Sequence, residues 1–116
     1  MATKEVWIDT DLRLLPHVKV LNGRFFTGDG NADKVGVRVT DDGAPVQLSG
    51  TVKASVVKPN GVTLEISGSL SGNEAWVILP SSCYTHRGRL AVVIKLTSGG
   101  TVTTLGALEA YVYPIN

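Results

Sequence analysis

The chain has 116 residues, 43% of them hydrophobic and 18% charged, with 11 basic against 10 acidic side chains and a formal net charge of +1. That balance creates no long-range field to draw in nucleic acid or an anionic membrane, and a single cysteine, Cys83, excludes an intramolecular disulfide. Folding at this length buries roughly two-thirds of the unfolded surface, enough for a core without metal or disulfide. No linker or repeat divides the sequence, so residues 1–116 are expected to form one domain.

The segment Met1 to Asp11 carries Lys4, Glu5, Asp9 and Asp11 and lacks the basic cap and apolar run of a secretory leader. The longest apolar runs, Ala75 to Leu79 and Leu90 to Ile94, fall far short of the roughly 20 residues that span a bilayer. A first strand is expected at Lys4 to Ile8. Asp9 to Leu15 has the composition of a single helical turn, capped by Asp9 or Thr10 and closed by Pro16, and a second strand follows at His17 to Leu21. Val35, Val37 and Val39 then alternate with Gly36 and Arg38, and Val62, Leu64 and Ile66 alternate with Thr63 and Glu65, the period-2 pattern of half-buried strands.

Further strands are expected at Thr51 to Lys58, Glu74 to Leu79, Leu90 to Leu96 and Thr101 to Tyr113, the last bending at Gly106. In Leu90 to Leu96 the side chains of Leu90, Val92, Ile94 and Leu96 share the inward face, with Arg89 and Lys95 on the other. Asp41-Asp42-Gly43, Pro59-Asn60-Gly61 and Ser98-Gly99-Gly100 separate these runs, with glycine or asparagine supplying the positive φ of hairpin turns. Seven or eight short strands without a long helix point to an all-β antiparallel two-sheet sandwich, immunoglobulin-like in topology and free of the disulfide, with a small barrel as the alternative.

Chemistry-bearing patterns are sparse. Asp29, Asn31 and Asp33 have the alternate oxygen spacing that opens a calcium loop, but Lys34 stands where that loop needs glycine and Thr40 where it needs a bidentate glutamate. Cys83 precedes His86 by three residues, near Ser81 and Ser82 and with His17 elsewhere; one cysteine and two histidines are too few for a structural zinc site, and no third member of a catalytic triad is evident. Gly28-Asp29-Gly30 lacks the third glycine and helix of a dinucleotide site, and no phosphate loop follows. No catalytic, cofactor-binding or metal residue is therefore assigned. Arg24 with Phe25 and Phe26 is the one basic cluster touching aromatics, and Trp7, Trp76, Tyr111 and Tyr113 suit either sugar stacking or packing and interface contacts.

The run Asn22-Gly-Arg-Phe-Phe-Thr-Gly-Asp-Gly-Asn-Ala-Asp33, the valine strand after it, and Asp42-Gly43-Ala44-Pro45-Val46-Gln47-Leu48-Ser49-Gly50-Thr51 resemble the N-terminal domain of phage baseplate upper proteins. Later features of that family have counterparts in Pro59-Asn60-Gly61, Leu79-Pro80 and Gly88-Arg89-Leu90, so the resemblance spans roughly Trp7 to Val112. It implies a non-enzymatic virion structural protein, assembled in the host cytoplasm, that docks on the tail baseplate and presents receptor-binding modules to a Gram-positive host. A homo-oligomer, a trimer in preference to other states, and contacts with other virion proteins are implied, without nucleic acid, membrane or cofactor. Family members continue into a helical linker and a distal domain where this sequence reads Tyr113-Pro114-Ile115-Asn116. A head-fibre base or capsid decoration domain is the nearest alternative, and a carbohydrate-binding sandwich the next. The expected docking residues are Arg24, Phe25, Phe26, Asp29 and Asn31, on a loop whose turns are made by Gly28 and Gly30; Gly43, Asn60 and Gly61 are the structural turn residues elsewhere.

Overall fold

The computed structural model describes residues 4–13, 17–30 and 33–114. The strands are β1 (Lys4–Asp11), β2 (His17–Phe26), β3 (Asp33–Asp41), β4 (Ala44–Pro45), β5 (Thr51–Val57), β6 (Thr63–Ser67), β7 (Ser69–Ser71), β8 (Glu74–Ile78), β9 (Gly88–Ser98) and β10 (Thr101–Tyr113), with a 3-10 turn at Ser81–Tyr84 between β8 and β9. One sheet has the order β1-β3-β8-β7, with β4 also paired to β3; the other runs β2-β10-β9-β5-β6. Packed together they form the expected two-sheet sandwich. Its connectivity is immunoglobulin-like: β3, β8 and β7 take the B, E and D places, and β5, β9 and β10 the C, F and G places.

Antiparallel pairing holds for most of the ladder, but both N-terminal strands depart from it. β1 runs parallel to β3, and β2 parallel to β10. Alternation tells which side chains point inward and is silent on strand direction. β1 also extends through Asp11, so Asp9 and Thr10 are strand residues and not the cap of a helical turn; Leu14, Leu15 and Pro16 lie outside the described residues. The short strands β4 and β7 carry too few alternations to register as a pattern.

The core lies where the period-2 faces meet. Val35, Val37 and Val39 from one sheet face Val52, Ala54, Val56, Leu90, Val92, Ile94 and Leu108 from the other, all fully buried or nearly so. Each large side chain there contributes about 1.5–3 kcal/mol by leaving water, an upper bound because the unfolded chain is partly collapsed. Leu96, at the open end of β9, is only half-buried. The bend in β10 is a bulge: its register on β9 slips between Thr104 and Gly106, and the extra residue, Leu105, is buried.

The outer face of the first sheet carries a packed row of its own. Trp7, Gly36 and Trp76 are cross-strand neighbours on β1, β3 and β8. A Cβ on Gly36 would come within 2.4 Å of Trp7 Cζ3, so glycine here makes room for the indole. The two indoles meet edge to face at 6.5 Å, Lys34 Nζ lies 4.4 Å from the Trp76 ring centre and 5.3 Å from that of Trp7, and the Arg38 guanidinium lies 4.4 Å from the Trp7 ring. Arg38 also pairs with Glu74 at 3.0 Å, and Trp7 Nε1 donates to Glu5 Oε1 at 2.8 Å.

At the far end of β1, Asp11 joins that strand to the β3–β4 turn. Its carboxylate accepts the backbone N–H groups of Arg13, Asp42 and Gly43 at 3.0–3.1 Å and the Thr40 hydroxyl at 3.1 Å. Asp42 and Gly43 both have positive φ, 53° and 83°, as a two-residue hairpin turn requires. The Arg13 N–H first, then that of Gly43, hold the Asp11 carboxyl at about 2, against the opposing effect of burial.

Two outcomes follow from these arrangements. Gly36→Ala displaces the Trp7 indole and costs about 1–3 kcal/mol, as overpacking does, with a shift in tryptophan emission; unchanged stability and emission would show that the notch is not needed. Asp11 has a depressed folded pKa, so its contribution is complete above the unfolded value of 3.8 and is lost as pH falls toward about 2. Asp11→Asn therefore lowers the thermal midpoint at neutral pH, and thermal scans of the two proteins converge between pH 4 and 2; a gap of constant size across that window would contradict the assignment.

Candidate docking surface at one end of the sandwich

Phe25 and Phe26 are adjacent on β2 and so point to opposite faces of the sheet. Phe25 pairs in register with Val112, is wholly buried and packs on Tyr84 with ring centres 6.2 Å apart. It is a core residue, which corrects its expected place in a docking surface. Phe26 pairs with Tyr113 and lies outside, 38% exposed. Its ring centre is 6.1 Å from that of Tyr113, which meets Tyr111 edge to face at 4.8 Å, and Tyr111 is 40% exposed. These three rings form an aromatic strip at the end of β10. Arg89, in register with Tyr111, adds a cation beside it and pairs with Glu109 at 3.8 Å.

On the inner side of the same strand end, Phe25 leads through Tyr84 to a buried carboxylate. Asp33, the first residue of β3, has no exposed surface; Tyr84 donates its hydroxyl to Asp33 Oδ2 at 2.6 Å. Lys4 Nζ stands 3.4 Å from Asp33 Oδ1 and 3.8 Å from Asp29 Oδ2, so one ammonium bridges the start of β1 to the β2–β3 loop. Backbone bonds complete the junction: Leu79 N–H to Asp33 O at 3.0 Å, Gly28 N–H to Tyr84 O at 3.3 Å and Thr27 N–H to Tyr113 O at 2.8 Å. Burial, and next the bond to Asp33, push the Tyr84 hydroxyl far above its ordinary range.

This geometry sorts the other expected residues. Asp29 turns its carboxylate to Lys4, and so takes part in the clamp. Asn31 lies outside the described residues, as does the side chain of Arg24. Gly28 makes a turn with φ of 89°, and Gly43 and Gly61 likewise have positive φ, 83° and 86°. Asn60 holds its turn by accepting the Val62 N–H at 3.1 Å. Gly30 has a different reason from the one expected: it is absent from the positive-φ residues, and a Cβ there would come within 2.9 Å of Ser81 Cβ. It permits close approach of the 3-10 turn.

The calcium-like spacing at Asp29 to Asp33 is used otherwise, since Lys4 occupies the cationic position and Tyr84 takes the second oxygen of Asp33. Among the described residues no cluster of three His, Cys, Asp or Glu side chains is placed to hold a metal. Cys83 is buried, and burial raises its thiol to about 11 despite the opposing charge of Lys58, so it is protonated at neutral pH. His86 is exposed, with Nδ1 2.9 Å from the Thr85 hydroxyl. The part that sequence reasoning missed is the buried clamp, although Asp33 lies in phase with Val35, Val37 and Val39 and so on the inward face.

No protein-family model matches the chain, and no curated protein matches it significantly.

Tyr84→Phe removes the donor from a buried carboxylate and is expected to lower unfolding stability by about 2–3 kcal/mol in urea titration; a loss under about 0.5 kcal/mol would show that Asp33 is compensated without it.

Proposed function

We propose that this chain is a non-enzymatic structural protein of a phage virion, a sandwich that docks on other virion proteins as the resemblance to baseplate upper proteins implies. The observation that carries the reading is the exposed strip of Phe26, Tyr113 and Tyr111 beside Arg89, set on a sheet face whose loop end is clamped by Asp33. Aromatic residues and arginine are the types enriched in the cores of protein interfaces, and rings on a rigid strand pair lose little entropy on docking. A head-fibre base or capsid decoration role uses the same physics with a different partner.

Sugar binding is the second reading, favoured by the open Tyr111 and Tyr113 rings. Trp7 and Trp76 fit it less well, because Lys34 lies over both indoles and Arg38 over Trp7, where a sugar ring would stack. The double variant Phe26→Ala, Tyr111→Ala changes exposed positions, so it is expected to fold normally and to lose incorporation into virus particles, read by quantitative mass spectrometry of purified particles. Normal incorporation would refute the docking role, and saturable glycan binding that the variant abolishes would replace it with the second reading. Phe25→Ala is the contrast: it costs about 3–5 kcal/mol as a core truncation.

A further inference from the structure

Sheet edges carry unpaired N–H and C=O groups that another strand can meet, and folded proteins normally blunt them. Among the described residues the edges are β1, β7 and the two-residue, proline-ended β4 in one sheet and β2 and β6 in the other. Lys19 Nζ reaches across the β1 edge to the Trp7 carbonyl at 3.2 Å. β2 is bulged, since Leu21 to Phe25 spans the same ladder as Ala110 to Val112 on β10. β7 has only three residues. β6 differs from all of these: five residues in unbroken register with β5, from Val57↔Thr63 to Lys53↔Ser67, with no proline and no bulge.

The pairing of β6 with β5 tells which of its groups face outward. Lys58 N–H donates to Val62 O at 2.9 Å, and Gly68 N–H to Val52 O at 2.8 Å. Even-numbered residues therefore direct their backbone groups to β5, and by antiparallel alternation Thr63, Glu65 and Ser67 direct theirs to the open edge. On the inner face Leu64 and Ile66 are only half-buried, and Val62 just before the strand is 48% exposed. Both the backbone and the apolar face of β6 are thus unfinished at the same edge.

We propose that β6 pairs antiparallel with β6 of a second copy of this chain, with Leu64 opposite the partner's Leu64, doubling the five-stranded sheet about a two-fold axis. The occupant is a second copy because the strand is complementary to itself in this register. Val62 falls opposite the partner's Ile66 on the inner face, and Thr63 opposite the partner's Glu65 on the outer face. The odd-numbered residues, whose backbone groups are open, are the ones that exchange hydrogen bonds. Sliding one residue pair in one direction sets Glu65 against the partner's Glu65, two like charges directly opposed, and sliding in the other leaves Thr63 opposite the partner's Thr63 as the one pair within β6. Changing the register by a single residue mispairs inward with outward side chains. Because β6 lies at the opposite edge from β2, this contact leaves the Phe26 strip open.

The test is sedimentation equilibrium of the wild type, Thr63→Glu and Thr63→Lys up to about 1 mM protein. Thr63 is exposed, so neither substitution disturbs the monomer, which circular dichroism checks. The expected result is a wild-type mass rising to twice 12.3 kDa, with Thr63→Glu weakening the dimer several-fold and Thr63→Lys tightening it several-fold, since each new charge lies opposite the partner's Glu65 and the two-fold axis makes that pair twice. A monomer throughout the range, or an oligomer of any size whose affinity is the same in all three proteins, would overturn the proposal.

Discussion

A carboxylate without solvent organises one end of this molecule. Asp33, the first residue of β3, sits at zero exposure, and three neighbours meet it: Lys4 of β1 brings an opposite charge, Tyr84 of the 3-10 turn a short hydrogen bond, and Leu79, just after β8, a backbone donor to its carbonyl. Burying an ion pair adds little net stability over well-packed apolar groups, but removing one partner is costly because the other charge stays buried. The value of such a cluster lies in excluding other arrangements. With Asp33 Oδ2 bonded to Tyr84, and Oδ1, which accepts no hydrogen bond from the described residues, facing the charge of Lys4, the 3-10 turn, the start of β1 and the loop are drawn to one relative position. Tyr84 then packs on Phe25, and Phe25 inward puts Phe26 outward beside Tyr113.

The rest of the fold is held by more distributed means. Paired valines and leucines join the two sheets, while Asp11 fastens the opposite end of β1 to the Asp42-Gly43 turn. Between these two fastenings the Trp7 indole rests in the space left by Gly36, with Lys34 and Arg38 against it. An N-terminal edge strand is the element most prone to fray. β1 is therefore secured by charge at both ends and by an indole at its middle.

How much of this was legible beforehand depends on the kind of information each feature carries. Val35 to Val39 and Leu90 to Ile94 announce themselves by period 2, and Gly61 and Gly43 by turn chemistry, because both signals are local. Parallel pairing of β1 and β2 is not local, and neither is the meeting of Trp7 with Trp76 across Gly36, which links residues 69 positions apart in the chain. Phe25 and Phe26 are an intermediate case. Two adjacent aromatics on a strand must diverge, yet which one faces the core depends on the register with Val112 and Tyr113. Gly30 reads as a turn residue from composition, and only the approach of Ser81 shows the steric reason for it.

A buried clamp that makes β1 and the Phe26 end one cooperative unit with the core leaves a signature in native-state hydrogen exchange of the free protein. The ladder amides of β1 are expected to exchange by the same global opening as those of β3 and β9. Exchange of β1 orders of magnitude faster, with β9 still protected, would contradict that coupling.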